Sequence, residues 1–236
     1  MTDDYAQVPF GDDVAPGGFD LIEFADNPEP RCACVLLLDV SGSMNGVSLI
    51  ALNAGLQQFA KDVRADSLAA RRVDLAAVTF GDSVNVVAEF GSAQHFYPQP
   101  LTAKGSTPMG EAINVSLDLM ANRQQQYRSA GITPYRGVIF LVTDGKPTDS
   151  WERAARRIEE GERRKSFSFF AVGVDDADID TLAKISVSAP VMLRETDFAA
   201  MFRWLSSSLS AVSRSSTGQT VNLTNPAGPA GWASIV

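Results

Sequence analysis

"CVLLLDVSGSMNG" (residues 34–46) decides how this chain is to be read. Residues 35–38 are apolar and run into Asp39, after which the chain turns small and polar through Ser41, Gly42 and Ser43. An uninterrupted apolar run suits a strand buried between two helical layers. Asp, Ser and Gly are common turn formers, so the motif taken alone can simply close a strand. The other reading is that three oxygen-bearing side chains point together at something electropositive. What else folds to the same edge decides between them.

Similar runs recur along the chain. "RVDLAAVTF" (72–80), "SVNVVAEF" (83–90), "GVIFLVTD" (137–144), "FSFFAVGV" (167–174) and the short "PVML" (190–193) read as strands beside "CACVLLLD" (32–39). Between them, apolar residues spaced three and four apart mark helices. The stripes are Leu49, Leu52, Leu56, Phe59 and Val63; Ile113, Leu117 and Met120; Trp151, Ala155 and Ile158; and Phe198, Phe202, Leu205 and Leu209. Asn45 is expected to precede the first helix as its cap and Thr107-Pro108 to open the second. Asp149, with Glu152 three residues later, resembles a capping box on the third. Strands 72–80 and 83–90 are joined only by Gly81 and Asp82, too short for a parallel crossover, so they form a hairpin. The expected fold is α/β: a three-layer, doubly wound, Rossmann-like sheet, mostly parallel, with one antiparallel strand.

In such a sheet, ligands bind beyond the carboxyl ends of the strands, where the strand order reverses. Asp39 ends one central strand, with Ser41 and Ser43 in the loop after it, and Asp144 ends another. Thr107, in "KGSTPMGEA", opens a helix that must begin at the same edge. Oxygen donors from three loops, with no nitrogen or sulfur, suit a hard cation such as Mg²⁺ or Mn²⁺. If the hydroxyls coordinate directly and an aspartate acts through water, the ion stays electrophilic and favours a carboxylate from another molecule. Thr107 has a competing use, because an N-cap threonine spends its oxygen on backbone N–H groups.

At these residues the chain resembles the von Willebrand factor A-type domains. The pattern Asp-x-Ser-x-Ser, then Thr, then Asp of their metal-ion-dependent adhesion site falls on Asp39, Ser41, Ser43, Thr107 and Asp144. The order of elements also matches over about residues 31–212. A closer resemblance is to the bacterial tellurium-resistance-associated, TerY-type branch, carried by "EFADNPEPRCACVLLLDVSGSM", "GSTPMGEAI", "LVTDGKPTD" and "FRWLSSSLSAVSRS". The resemblance implies a cytoplasmic, metal-binding interaction module tied to tellurite or other chemical stress. Its implied partner is a protein offering an acidic residue, in the company of a protein kinase and a PP2C-type phosphatase.

Composition bounds the alternatives. The net charge is −8, and residues 1–30 hold eight of the 28 acids and none of the 20 Lys and Arg, so the remainder is charge-balanced. That leaves no basic footprint for nucleic acid. The run "RRIEEGERRKS" (156–166) reads as a solvated helix face whose cations suit the C-terminal dipole. Nothing approaches the roughly 20 apolar residues of a membrane span, and "MTDDYAQVPF" has neither a basic nor an apolar signal region. A cytoplasmic location is expected. Cys32 and Cys34 point to one face of a strand and read as buried, reduced thiols, and His95 as a surface residue. The organisation expected is an acidic leader (1–30), a globular domain (31–212) and a Ser/Gly/Pro-rich tail (213–236), draped on the domain or disordered. Met109 and Met120 are expected in the core.

A binding module, not an enzyme, is the reading expected. The alternative is a Mg²⁺-dependent phosphotransferase or phosphatase on a similar sheet. Haloacid-dehalogenase-like phosphatases need Asp-x-Asp with the second acid as general acid, whereas position 41 is Ser, which has no proton to give at neutral pH. No GxxxxGK[ST] phosphate loop is present either.

Overall fold

Seven strands form one sheet in the computed structural model, which describes residue 24, residues 27–228 and residues 231–235. The strands are β1 (Cys32–Asp39), β2 (Val73–Phe80), β3 (Val84–Ser92), β4 (Gly137–Thr143), β5 (Phe167–Gly173), β6 (Val191–Leu193) and β7 (Ala233–Ile235), in the order β3-β2-β1-β4-β5-β6-β7. β1 pairs in parallel with both β2 and β4, and β5 and β6 extend the parallel run. The β2–β3 pair is antiparallel, as its two-residue connection requires. A second antiparallel pair, β6–β7, was not anticipated: part of the expected tail returns to add an edge strand.

The helices are α1 (Val47–Ala65), α2 (Ala69–Arg72), α3 (Met109–Ser129), α4 (Glu152–Arg163), α5 (Ile179–Ile185) and α6 (Phe198–Arg214). Alternation along β1 divides the core into two layers. Cys32, Cys34, Leu36 and Leu38 face the α1/α6 layer with Leu52, Phe59, Phe198 and Phe202. Ala33, Val35 and Leu37 face the α3/α4/α5 layer with Met109, Met120, Ile158 and Leu182. Both cysteines are free and fully buried, and burial pushes the Cys32 thiol up to about 12. His95 is exposed.

Local details depart from expectation at helix starts. α1 begins at Val47, with Gly46 (φ 103°) before it, while Asn45 closes a 3₁₀ turn over Gly42–Met44. In α4, Ala154 is fully buried and Ala155 only partly. Leu49 is likewise only partly buried. The expected acidic leader (1–30) falls largely outside the described residues. Phe24 is described and is buried, edge-on to Tyr127 with ring centroids 5.6 Å apart.

The tail is tied down at several points. Trp204 Nε1 donates to Thr224 O (2.7 Å), and Arg194 donates to Gly231 O (2.9 Å). At the amino end of the sheet, Asp74 is fully buried and accepts from Arg31 (2.8 Å), Arg123 (2.9 Å) and Tyr127 (2.6 Å). This network anchors β2 to α3 and to the entry of β1, far from the carboxyl edge. Among the described residues, no helix is long and apolar enough to cross a membrane.

Candidate metal centre

The chain runs from β1 outward to β2 on one side and reaches β4 on the other, so the order reverses between β1 and β4. The neighbouring crossovers leave in opposite directions there and open a crevice at the carboxyl edge. Asp39 is the last residue of β1 and Asp144 directly follows β4.

Asp39 is buried and held from two sides. The Ser41 backbone N–H donates to Oδ1 (2.7 Å), and the Thr143 hydroxyl donates to Oδ2 (2.5 Å). Ser41 Oγ and Ser43 Oγ lie 3.1 Å apart, and Ser43 Oγ donates to Asp144 Oδ1 at 2.8 Å. The side chains of Asp39, Ser41, Ser43 and Asp144 therefore form one polar cluster. Thr107 joins it through Gly145. A Cβ at position 145 would stand 3.0 Å from Thr107 Oγ1 and 3.7 Å from Asp39 Oδ2. A side chain there would crowd the Thr107 hydroxyl and touch Asp39, so glycine keeps the crevice open.

Thr107 is relieved of capping duty. Helix α3 starts at Met109 with no side-chain cap from the residue before it. Asp149 supplies the cap from another loop: the amides of Gly110 and Glu111 donate to its two carboxylate oxygens at 2.9 and 2.7 Å. The expected capping box on α4 is thus corrected, since the carboxylate of Asp149 is spent on α3. The approach is close, for a Cβ at Gly110 would meet Ser150 O at 2.3 Å. Two further bonds lock the same loops together: Thr148 N donates to Thr107 O (2.9 Å), and Thr107 N donates to Thr148 Oγ1 (3.2 Å). Asp149 satisfies amides that Thr107 would otherwise serve, which leaves the Thr107 hydroxyl for the crevice.

Electrostatics favour a cation. Burial is the main cause that lifts Asp39 to about 6, and the charge of Asp144 adds to it. Asp144 is also raised, chiefly by burial, with Asp175 contributing repulsion. Among the described residues no Lys or Arg forms an ion pair with either acid; Lys104 pairs with Asp82 (2.8 Å) and Lys146 with Asp178 (3.5 Å). Two mutually repelling carboxylates and three hydroxyls, with no thiolate or imidazole, are the donor set of a hard divalent ion. The residues fit such an ion. Reading the sequence missed Thr143 and Asp149 as parts of this site. The "VTDG" and "PTD" contexts contain them, but their partners lie 104 and 39 residues away.

Comparison with known proteins bears on the family and the fold. The profile of the von Willebrand factor type A domain matches residues 34–206. No curated protein matches the chain significantly. Among solved structures, the pilus adhesin SpaC of Lactobacillus rhamnosus GG superposes with a TM-score of 0.63 at 15% identity, over 77% of this chain and 30% of the adhesin. The vWF domain of the type V pili tip protein Mfa5 of Porphyromonas gingivalis gives 0.60 at 11% identity, over 81% of this chain and 99% of that domain. The ArnB paralog VWA2 of Sulfolobus acidocaldarius gives 0.53 at 18%, over 76% and 45%. This chain thus spans under a third of the adhesin and under half of the archaeal protein. With a profile match from the first central strand into the last helix, on the strand order just described, the chain belongs to the von Willebrand factor type A domain family.

Proposed function

We propose that this chain is a divalent-metal-dependent protein-binding module in which Asp39, Ser41, Ser43, Thr107 and Asp144 hold Mg²⁺ or Mn²⁺. The observation that carries the reading is the pairing of two carboxylates, both displaced upward, with hydroxyl oxygens in the β1–β4 crevice. Bound there, the ion supplies an electrophilic centre for a carboxylate of a partner protein. Thr143 and the Ser41 amide orient Asp39, and Ser43 orients Asp144, so the donors stand ready before any ligand arrives. Asp149 frees the Thr107 hydroxyl to join them.

The resemblance of "DVSGSM", "GSTPMGEAI" and "LVTDGKPTD" to the TerY-type branch supports a cytoplasmic role in a bacterial tellurite or chemical-stress response. An associated protein kinase or PP2C-type phosphatase is then the candidate partner. Similar folds in a pilus adhesin and a pilus tip protein fit binding better than catalysis. The test is capture of partners from native lysate in Mg²⁺ and in EDTA. The wild-type protein should retain its partner only in Mg²⁺, and Ser41→Ala/Ser43→Ala should lose it. Capture of the same partner by that variant in EDTA would refute the reading.

A further inference from the structure

Beside the candidate centre lies an apolar feature that folding does not account for. Val47 and Ile50 are 73% and 71% exposed, more than any other large hydrophobic side chain among the described residues. They stand three apart in the first turn of α1 and share one face of it. The core face of that helix is a different one, lined by Leu52, Leu56, Phe59 and Val63. β-Branched residues are also poor choices for a solvated helix position, because they lose χ1 freedom against the preceding turn. Among the described residues, neither packing nor helix propensity explains the pair.

Position explains it better. α1 begins four residues after Ser43, so Val47 lies at most about 14 Å along the chain from that hydroxyl. The first turn is pinned to the rim, where Ser48 Oγ donates to Asp175 Oδ2 at 2.6 Å. Between the centre and the apolar pair, Asn45 and Gly46 are exposed, Met44 is buried, and Gly46 carries no side chain. Asp175 and Asp176 are also exposed on this rim. Their charge opposes a strongly acidic partner surface at any point except the ion itself.

We propose, resting on the metal-dependent reading above, that Val47 and Ile50 form the apolar half of a composite docking surface. Its occupant is a partner's polypeptide segment with a single Asp or Glu and an aliphatic or aromatic side chain within about four residues of it, the reach of an extended chain at about 3.3 Å per residue. The carboxylate meets the ion, the apolar side chain covers Val47 and Ile50, and the rim acids reject segments with several negative charges. The ion makes binding conditional on metal, and the apolar pair selects among the many exposed carboxylates of a cell.

Synthetic peptides test this directly. One series carries a single central Asp in a Gly/Ser background, and a second adds one Leu at each of the four positions on either side. Binding is followed by fluorescence polarisation, in millimolar Mg²⁺ and in EDTA. The proteins are wild type, Val47→Ser/Ile50→Ser and Ser41→Ala/Ser43→Ala. At least one Leu register should bind wild type about tenfold more tightly than the Leu-free peptide in Mg²⁺. Val47→Ser/Ile50→Ser should lose that advantage while keeping its Mg²⁺-dependent rise in melting temperature, which shows an intact centre. Asp-dependent binding without a Leu advantage in any register overturns the inference and leaves the metal-dependent reading standing. So does an undiminished Leu advantage in Val47→Ser/Ile50→Ser. Absence of Asp-dependent binding in Mg²⁺ overturns both.

Discussion

Removing the divalent ion should lower the stability of this domain by an amount that depends on pH. The proposed ligands are spread from residue 39 to residue 144, so the unfolded chain cannot assemble them and only the native state binds. At an ion concentration about 100 times Kd this linkage contributes about 2.7 kcal/mol. For a domain of this size each kcal/mol moves Tm by roughly 2–4 °C, which predicts a rise of about 5–10 °C. The buried carboxyl of Asp39 adds a second effect. It stands at about 6 in the metal-free fold against an ordinary 3.8, so the folded state binds its proton more tightly than the unfolded chain does. Stability in EDTA should therefore fall as pH rises from about 4 through 6. By pH 7 the cost approaches roughly 3 kcal/mol, at about 1.36 kcal/mol per pKa unit.

A bound cation favours the ionised carboxylate and offsets that cost. The gain in Tm from Mg²⁺ should thus be clearly smaller at pH 5 than at pH 7.5. Thermal melts in EDTA and in millimolar Mg²⁺ at both pH values measure it. Asp144→Ala removes one of two repelling acids, so it should match or exceed wild type in EDTA yet lose most of the Mg²⁺ gain. An equal gain at both pH values would refute the electrostatic argument, and a full gain in Asp144→Ala would remove that residue from the site.

Two further substitutions separate scaffold from centre. Asp74→Asn takes the charge out of a buried network with Arg31, Arg123 and Tyr127 and should cost about 3–5 kcal/mol, a Tm fall of roughly 6–20 °C. Its Mg²⁺ gain should survive, because Asp74 lies at the amino end of β2, opposite the crevice; a loss of only a degree or two would contradict the network's role. Asp149→Ala uncaps α3 and should cost about 0.5–2 kcal/mol in EDTA. It should also reduce the Mg²⁺ gain, with Asp149→Asn recovering part of both, and an unchanged Mg²⁺ gain would show that Thr107 does not depend on this cap.

The sequence by itself determined the features that local chemistry dictates. Uninterrupted apolar runs ending in Asp39 and Asp144 marked buried strands and their ends, the Gly81-Asp82 link required a hairpin, and the stripe Leu49, Leu52, Leu56, Phe59 and Val63 identified a core-facing helix, with Leu49 at the edge of the buried face. Those signals need only neighbours within a turn or a strand. Because the fold class places the carboxyl ends of central strands at one edge, the candidate oxygen donors could be named without coordinates.

Only the tertiary structure decided where donors with several possible partners would go. Asp149 stands three residues before Glu152, which suits a cap on α4, yet the closer amides are those of α3, brought beside it by packing at Gly110. Thr143 reads as one more β-branched strand residue until β4 lies beside β1 and its hydroxyl meets Asp39. Residues 233–235 carry little strand signal of their own; they become β7 because β6 offers them an unpaired edge. A hydrogen bond is indifferent to sequence separation once the backbone has brought donor and acceptor together, and that proximity is set by how the layers pack.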